Sequence, residues 1–138
     1  MDEVIRAHGH ENVRAEHAST FEVTTDDWLT PAGDCILAVE ADRAPADFDP
    51  AFVDACRDGT AAISATVAVD GHEQVVRGRG HPDLTFESDR SAVGRTSEYV
   101  DDRTVLVGAE YAANGFEREL VDALVEGVEL SLTLSVDR

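Results

Sequence analysis

The chain has 138 residues, enough for one domain with a hydrophobic core and too few for two. Its Asp and Glu residues number 29 against 11 Arg and no Lys, which gives a formal net charge of −18. No apolar run reaches the roughly 18 residues of a membrane span, and the N-terminus M-D-E-V-I-R lacks the apolar core of a signal peptide. We therefore expect a cytoplasmic protein without membrane contact, whose two cysteines are thiols.

The acidity favours a salt-adapted chain. Repulsion among so many carboxylates opposes the compact state in dilute buffer, whereas about 1 M salt shortens the Debye length to roughly 3 Å. With Lys absent, this composition is typical of an extreme halophile. Attraction to a basic partner or a cation is the alternative explanation. Nucleic-acid binding is not expected, because acidic residues outnumber the arginines between Arg77 and Arg103.

The residue pattern of the first half of the chain predicts strands followed by a short helix. Strands are predicted at 4–10 and 13–25, then a loop over 24–33 that ends in Pro and Gly, in which Trp28 and Leu29 fold back over the core. Residues 34–40 form a nearly continuous apolar run, typical of a buried strand. Asp49-Pro50 supplies an N-cap followed by Pro at the first helical position, so a helix should run to near Gly59.

The second half opens on a hairpin. Strands 61–69 and 72–79 flank Asp70-Gly71, a strong turn signal. Further strands are predicted around Leu84 and Phe86, over 93–97 and over 104–108, followed by a helix at 117–125 and a half-buried strand at 128–136. The tally is about nine strands and two short helices without regular βαβ alternation, which predicts a β-sandwich with no internal repeat.

Blocks of residues along nearly the whole chain carry a family resemblance. They are Gly9-His10-Glu11-Asn12, His17, Thr20, Glu22, Leu29-Thr30, Gly33-Asp34-Cys35, Ala41-Asp42, Gly78-Arg79-Gly80-His81-Pro82, Leu84-Thr85, Arg95, Ser97 and Arg103-Thr104. At these residues the chain resembles an archaeal family of small proteins, domain of unknown function 371. The resemblance implies a jelly-roll-like antiparallel β-sandwich in a cytosolic archaeal protein, and it implies no reaction. The chain departs from other members chiefly in replacing Lys by acidic residues or Arg.

The stretch 8–35 is dense in polar side chains and predicts a site. If 13–25 is one strand, His17 and Ser19 lie on its inward face with Phe21 and Val23, and buried polar groups need partners. We expect a pocket built from residues 10–24, Asp34-Cys35 and the loop of His81. Its candidate catalytic residues are His10, His17, Cys35 and His81.

A divalent metal is one candidate occupant of this pocket. Imidazole and carboxylate groups are common zinc ligands, and a catalytic zinc needs three of them with one open position. The candidate ligands are His8, His10, His17 and His81, with Glu11, Asp34 or Cys35. H-E-x-x-H is absent, however, so the alternative is that His17 is a hydrogen-bonded core residue and the others cap turns.

Cys35 is a candidate nucleophile with a nearby histidine as base. A reactive cysteine needs exposure and a lowered pKa, whereas Cys35 leads straight into the apolar run Ile36-Leu37-Ala38-Val39. An inert core thiol is the alternative. Cys56, on the apolar face of the first predicted helix, is expected to be structural.

Ligand contacts are predicted for polar residues of the same blocks. They are Asn12, Thr20, Glu22, Asp34, Arg95, Ser97 and Arg103. The guanidinium groups of Arg95 and Arg103 suit an anion, but pairing with the abundant carboxylates is favoured. Gly78-Arg79-Gly80-His81 lacks the third glycine of a dinucleotide fingerprint, so its glycines are expected to allow a bend that aims His81.

Two hypotheses of different class follow. The first is a β-sandwich whose His-rich polar pocket binds a small molecule or a metal and hydrolyses a substrate. The second is a non-enzymatic protein-interaction or structural module, in which the same motif blocks hold the sandwich together. The sequence indicates no reaction, substrate or oligomeric state.

Overall fold

The computed structural model describes residues 1–137, which form eight strands, two α-helices and two short 3-10 helices. In chain order the elements are β1 (Asp2–His8), β2 (Thr20–Thr24), β3 (Ile36–Ala38), a 3-10 helix (Pro45–Asp47), α1 (Pro50–Cys56), β4 (Ala62–Val69), β5 (His72–Arg79), β6 (Ser91–Arg95), β7 (Thr104–Leu106), a 3-10 helix (Ala113–Gly115), α2 (Arg118–Val125) and β8 (Glu129–Val136). The predicted mainly β sandwich with two short helices is confirmed. Neither helix within residues 1–137 is long and apolar enough to cross a membrane.

The strands form two four-stranded sheets. The first sheet has the order β1-β8-β4-β5 and is antiparallel throughout. The second has the order β3-β2-β6-β7, in which β2 with β3 and β6 with β7 run parallel. Backbone bridges from His8 to Val39 and from Arg79 to Val107 join the edges of the two sheets. The sandwich is therefore partly closed at both sides.

The chain contains an internal repeat of two halves, so the expectation of no repeat is wrong. Residues 1–69 and 72–137 each form three strands, a 3-10 helix, an α-helix and a fourth strand. Exchanging β1 with β5, β2 with β6, β3 with β7 and β4 with β8 leaves both sheet orders unchanged. The two halves thus occupy equivalent places, related by an approximate twofold axis.

A buried hydrogen-bond cluster in the first repeat ties β1 to the start of α1. Glu3 is 8 % exposed, and its Oε2 accepts from the backbone N–H of Asp49 at 2.9 Å. Its Oε1 accepts from Arg43 at 2.7 Å, and Arg43 also donates to the Val4 carbonyl at 3.0 Å. The ion pair here satisfies the open N–H of Asp49 at the start of α1 and the Val4 carbonyl of β1.

The second repeat builds the same cluster from uncharged side chains. Gln74 accepts from the backbone N–H of Glu117 at 3.0 Å, as Glu3 does from Asp49. The Tyr111 hydroxyl, which takes the place of the Arg43 guanidinium, donates to the Val75 carbonyl at 2.6 Å. Because the bonds are kept while the side chains change, the repeat is hard to detect from residue identity.

Residues with positive φ correct two predicted strands. Ala15 has φ 51° and its counterpart Phe86 has φ 53°, a left-handed conformation that ends an extended run. The strand predicted over 13–25 is therefore limited to β2, and the strand predicted around Leu84 and Phe86 does not form. Val13 and Ala15 are buried as expected, but Ser19 is exposed and His17 is only partly buried.

The core lies between the sheets and is closed at its ends by the helices. Odd-numbered residues of β4 and even-numbered residues of β8 point inward and are buried. All five Phe side chains are buried, and Phe48, Phe52 and Phe86 form a cluster with centroids 5.7–6.2 Å apart. Such edge-on aromatic packing adds stability beyond the buried area itself.

Candidate functional site

The imidazoles of His10 and His81 occupy equivalent turns. The His10 Nδ1 accepts a hydrogen bond from the backbone N–H of Asn12 at 3.0 Å, and the His81 Nδ1 accepts from that of Asp83 at 3.0 Å. Both bonds span two residues, as in an Asx turn. Each ring therefore stabilises the turn that follows its own glycine, Gly9 or Gly80.

His17 plays a similar part at the start of β2. Its Nδ1 accepts from the backbone N–H groups of Ser19 at 3.2 Å and Thr20 at 3.1 Å. In the second repeat the Ser88 hydroxyl takes its place, accepting from the residues two and three positions later at 3.1 and 3.2 Å. Because a hydroxyl takes the place of this imidazole in the second repeat, the position requires a hydrogen-bond acceptor and not an imidazole as such.

These bonds disfavour the predicted metal site. A backbone N–H only donates, so Nδ1 must present its lone pair and the neutral ring must carry its proton on Nε2. Neither nitrogen then offers a free lone pair to a metal. No group of three or more His, Cys, Asp or Glu side chains that could hold a metal ion lies within residues 1–137.

We predict that His17→Ala lowers the free energy of unfolding by about 1–2 kcal/mol, because two backbone N–H groups lose their acceptor. His17→Ser, which copies Ser88, should retain most of that stability. Chemical denaturation of both variants in high salt measures the difference. Equal losses in the two variants would contradict the acceptor role.

A chain of polar contacts crosses the outer face of the second sheet. The Cys35 thiol lies 3.7 Å from Glu22 Oε1, and Glu22 lies 3.9 Å from an Arg103 guanidinium nitrogen. Asp101 then accepts from Arg103 at 3.3 Å and from Arg95 at 2.9 Å. The structure thus brings together four of the predicted pocket residues, but each is occupied by a partner within the chain.

Arg95 is the most enclosed guanidinium of this network. Its Nε donates to the Thr104 hydroxyl at 2.8 Å, and its side chain stacks on the Tyr99 ring, 4.9 Å from the centroid. Pairing with a carboxylate, the favoured expectation for this residue, is confirmed by the Asp101 contact. An anion would have to displace Asp101 to reach Arg95.

The environment of Cys35 opposes nucleophilic chemistry. Burial raises the pKa of its thiol, and the negative charge of Glu22 raises it further. A thiol with a raised pKa holds its proton at neutral pH, and the thiolate is the reactive form. Burial raises the pKa of Cys56 to about 12, in keeping with the structural role predicted for it.

We predict slow alkylation of both thiols in the folded protein. Iodoacetamide reacts with the thiolate, so raised pKa values shift the reaction of Cys35 to more alkaline pH than that of a free cysteine. Mass spectrometry after timed labelling at pH 7 and pH 9 measures the rates, with the denatured chain as the control. Labelling of folded Cys35 at pH 7 as fast as in the denatured chain would contradict this prediction.

The remaining predicted site residues make local contacts. His8 ends β1 on the surface, where its backbone bridges to Val39. Asn12 donates from its side chain to the Leu29 carbonyl at 2.7 Å, and the Thr20 hydroxyl lies 3.1 Å from the His17 Nδ1.

Asp34 and Ser97 likewise serve their own loops. The Asp34 carbonyl accepts from the backbone of Glu16 at 3.0 Å, and the Ser97 hydroxyl accepts from the backbone of Tyr99 at 3.3 Å. The bonded partners of His10, His17 and His81 belong to three different turns. The convergence of these rings on one pocket therefore stays a prediction.

An open groove of about 530 Å³ lies beside His81. It is lined by His81, Asp83, Thr85, Glu87, Glu98, Tyr99, Val100, Asp101 and Asp102. Two of these five carboxylates have arginine partners, since Asp101 binds two arginines and Glu98 pairs with Arg79. The buried hydroxyl oxygen of Thr85 has no hydrogen-bond partner among residues 1–137.

Two aromatic side chains are exposed: the prediction that Trp28 folds back over the core is wrong, and the exposure of Tyr99 was not predicted. Trp28 is 57 % exposed and Tyr99 is 61 % exposed, whereas Leu29 is buried as predicted. They occupy equivalent loops, from β2 to β3 and from β6 to β7, and each follows an acidic residue, Asp27 or Glu98. The shared sequence signal is an acidic–aromatic pair 71 positions apart, the same offset that separates His10 from His81.

Comparison with known proteins covers almost the entire chain. The model of the family described as "Domain of unknown function (DUF371)" matches residues 5–137. The chain is also 37 % identical over 136 residues to the uncharacterized protein MJ0206 of the archaeon Methanocaldococcus jannaschii, an alignment that covers 99 % of this chain and 100 % of the relative.

Proposed function

This chain belongs to the DUF371 family, whose description gives no activity, and from its geometry we propose that it is a non-enzymatic interaction module. Two features of the predicted catalytic groups support this. The Nδ1 atoms of His10, His17 and His81 are committed to backbone turns. The Cys35 thiol is protonated because its pKa is raised.

The observation that carries the proposal is the pair of exposed aromatic rings at equivalent positions of the two repeats. Trp28 and Tyr99 are large side chains on a surface otherwise rich in carboxylates. Exposed aromatic groups of this size are typical contact residues at protein interfaces, where Trp and Tyr dominate binding energy. Their repetition in both loops favours a shared binding role.

The partner best suited to these loops is a protein segment rich in arginine. Asp27 places a carboxylate directly before the Trp28 ring, where a guanidinium group can pair with the acid while stacking on the aromatic face. Glu98 precedes Tyr99 in the same way and pairs with Arg79 of its own chain. Tyr99 already stacks on a guanidinium of its own chain, that of Arg95 at 4.9 Å. The net charge of −18 adds long-range attraction to a basic partner at low ionic strength.

Trp28 is the single tryptophan, so its fluorescence reports directly on one loop. Titration with nona-arginine at the lowest salt that keeps the fold should give a saturable change in emission. Asp27→Asn should weaken it. The double variant Trp28→Tyr/Tyr99→Trp moves the fluorophore to the other loop and should respond similarly. Absence of any saturable change at both positions would overturn the proposal.

A small ligand in the groove beside His81 is the second candidate. The unpartnered Thr85 hydroxyl and the open volume of about 530 Å³ favour it. Thermal melting with added Zn²⁺, Mn²⁺ or Ni²⁺ in high salt tests the metal form of this candidate. A raised melting temperature in the parent chain that is lost in His81→Asn, which keeps an acceptor for the Asp83 N–H, would favour it over the interaction module.

A further inference from the structure

The outward face of the first sheet carries small side chains at its centre. The outward residues of β4 are Ala62, Ser64, Thr66 and Ala68, and those of β8 are Glu129, Ser131, Thr133 and Ser135. The edge strands add Asp2, Val4, Arg6 and His8 from β1 and Glu73, Val75, Arg77 and Arg79 from β5. No helix of residues 1–137 covers this face, since the helices pack into the core through their buried residues.

This face differs in charge from the rest of the molecule. Its outward carboxylates are Asp2, Glu73 and Glu129, and they are matched in number by the guanidinium groups of Arg6, Arg77 and Arg79. Among the strand residues of this face the charges thus cancel in number, although Arg79 pairs with Glu98 of the other sheet and Asp137 borders the face, in a chain whose net charge is −18. A surface of low net charge in so acidic a molecule is unusual for a face that meets only water, and it suits contact with protein.

The charges of the face are arranged in an alternating pattern. One row of the sheet register runs from Asp2 through Ser135 and Ser64 to Arg77. A parallel row, four residues along each strand, runs from Arg6 through Ser131 and Ala68 to Glu73. Acid and base thus alternate at the four corners of the face, with Val4, Thr133, Thr66 and Val75 in the row between them.

Such a pattern is complementary to itself. If a second copy is turned over about an in-plane axis parallel to the strands, its Arg77 lies over Asp2 and its Glu73 lies over Arg6. If the in-plane axis is perpendicular to the strands, the Asp2 of one copy lies over the Arg6 of the other. Every corner meets an opposite charge in either case, as an isologous twofold interface requires.

The arginines at two corners of the face, Arg6 and Arg77, have N–H donors that are available to a partner. Arg6 lies 3.9 Å from Glu129 and Arg77 lies 3.8 Å from Glu110, and the two arginine side chains are 63 % and 72 % exposed. Each guanidinium has five N–H donors, so one long surface contact leaves most of them unused. Exposed pairs of this kind contribute little on their own.

We propose that two copies of this chain stack through the outward face of the first sheet. The small central side chains allow the two sheets to approach to the usual spacing of about 10 Å. Four strands of seven or eight residues give a face of about 19 by 25 Å, which is below the roughly 800 Å² per partner of a typical stable interface. The dimer should therefore be weak, dependent on concentration and favoured by salt that screens the net charge.

Two charge-sorted variants test this arrangement. In the acidic variant, Arg6→Glu and Arg77→Glu make all four corners negative, and in the basic variant, Asp2→Arg and Glu73→Arg make them all positive. Sedimentation equilibrium in about 2 M NaCl, where long-range repulsion is screened, should show a reversible dimer for the parent chain. For each variant alone the affinity of dimerisation should fall at least tenfold. An equimolar mixture of the two variants should form dimers again. Ala51→Glu, on the exposed first turn of α1, is the control and should dimerise like the parent.

Thr133→Glu provides a second test, because it places one carboxylate from each copy near the centre of the stack. It should also abolish the dimer, with an unchanged circular dichroism spectrum showing that the fold is kept. A parent chain that stays monomeric at millimolar concentration would overturn the proposal. So would a dimer that persists unchanged in Thr133→Glu and in the acidic variant. The Trp28 and Tyr99 loops lie on the other sheet, so their variants leave this measurement unaffected.

Discussion

Dilution of NaCl from about 2 M to about 0.1 M should unfold the protein. At the lower concentration the Debye length is about 10 Å, so the 29 acidic residues repel one another across much of the surface. Native stabilities of about 5–15 kcal/mol are small enough for such repulsion to remove. Far-ultraviolet circular dichroism during dilution follows the loss of strand structure. A melting temperature that is the same at both salt concentrations would contradict the expectation of salt adaptation.

Acidification provides the control for that experiment. Near the sequence isoelectric point of about 4.3 the net charge vanishes, so dilution should be far less damaging there. Hydrogen bonds from Arg90 lower the pKa of Asp26. Burial raises the pKa of Asp101, but the Arg103 backbone N–H and the charge of Arg95 outweigh it and lower the value overall. A carboxyl group with a lowered folded pKa contributes stability until the pH falls through that value, so both ion pairs persist at pH 4.5.

Gly9→Ala and Gly80→Ala should each lower the free energy of unfolding by about 3 kcal/mol or more. A Cβ atom on Gly9 would overlap the Leu124 carbonyl oxygen at the end of α2, and one on Gly80 would overlap the Cys56 carbonyl oxygen at the end of α1. Both obstacles are backbone atoms, which no rotamer change can move. Thermal melting in high salt should show a decrease of about 10 °C or more for each variant.

Gly59→Ala is the matched control for this pair. Its added Cβ would lie 3.7 Å from the Pro82 Cδ, an ordinary contact on an exposed turn. We expect a change within about 0.5 kcal/mol. Equal melting temperatures for Gly9→Ala and Gly59→Ala would show that the helix end does not approach Gly9 as closely as described.

Strands with regular alternation were predictable, and those interrupted by unusual backbone were not. The Asp70-Gly71 turn and the strict alternation of β8 carry direct signals, and both elements form where they were expected. The left-handed conformations fall on Ala15 and Phe86, residue types that rarely adopt them. Such backbone conformations are imposed by the tertiary structure around them. The residue pattern therefore predicted an uninterrupted strand.

The internal repeat was not predicted because equivalent positions of its two halves make the same hydrogen bonds with different side chains. Glu3 and Arg43 form an ion pair where Gln74 and Tyr111 form neutral hydrogen bonds. His17 accepts the backbone bonds that a serine hydroxyl accepts in the other half. Comparing hydrogen-bond roles reveals the equivalence, whereas comparing residue identities obscures it.

The roles of the candidate site residues could likewise not be predicted from residue identity. The sequence singled out His10, His17, Cys35 and His81, but it could not distinguish an imidazole that binds a ligand from one that closes a turn. That distinction depends on which ring nitrogen meets a backbone N–H, a contact fixed only when the loop is folded.

Imidazole ¹⁵N chemical shifts of the folded protein test the central claim most directly, because they report which ring nitrogen carries the proton. Long-range ¹H–¹⁵N correlation spectra in high salt at pH 8 should show an unprotonated Nδ1 and a protonated Nε2 for His10, His17 and His81, without change on addition of Zn²⁺. Protons on Nδ1, or Zn²⁺-induced shifts at Nε2 of several of these rings in the intact fold, would contradict the structural role given to them.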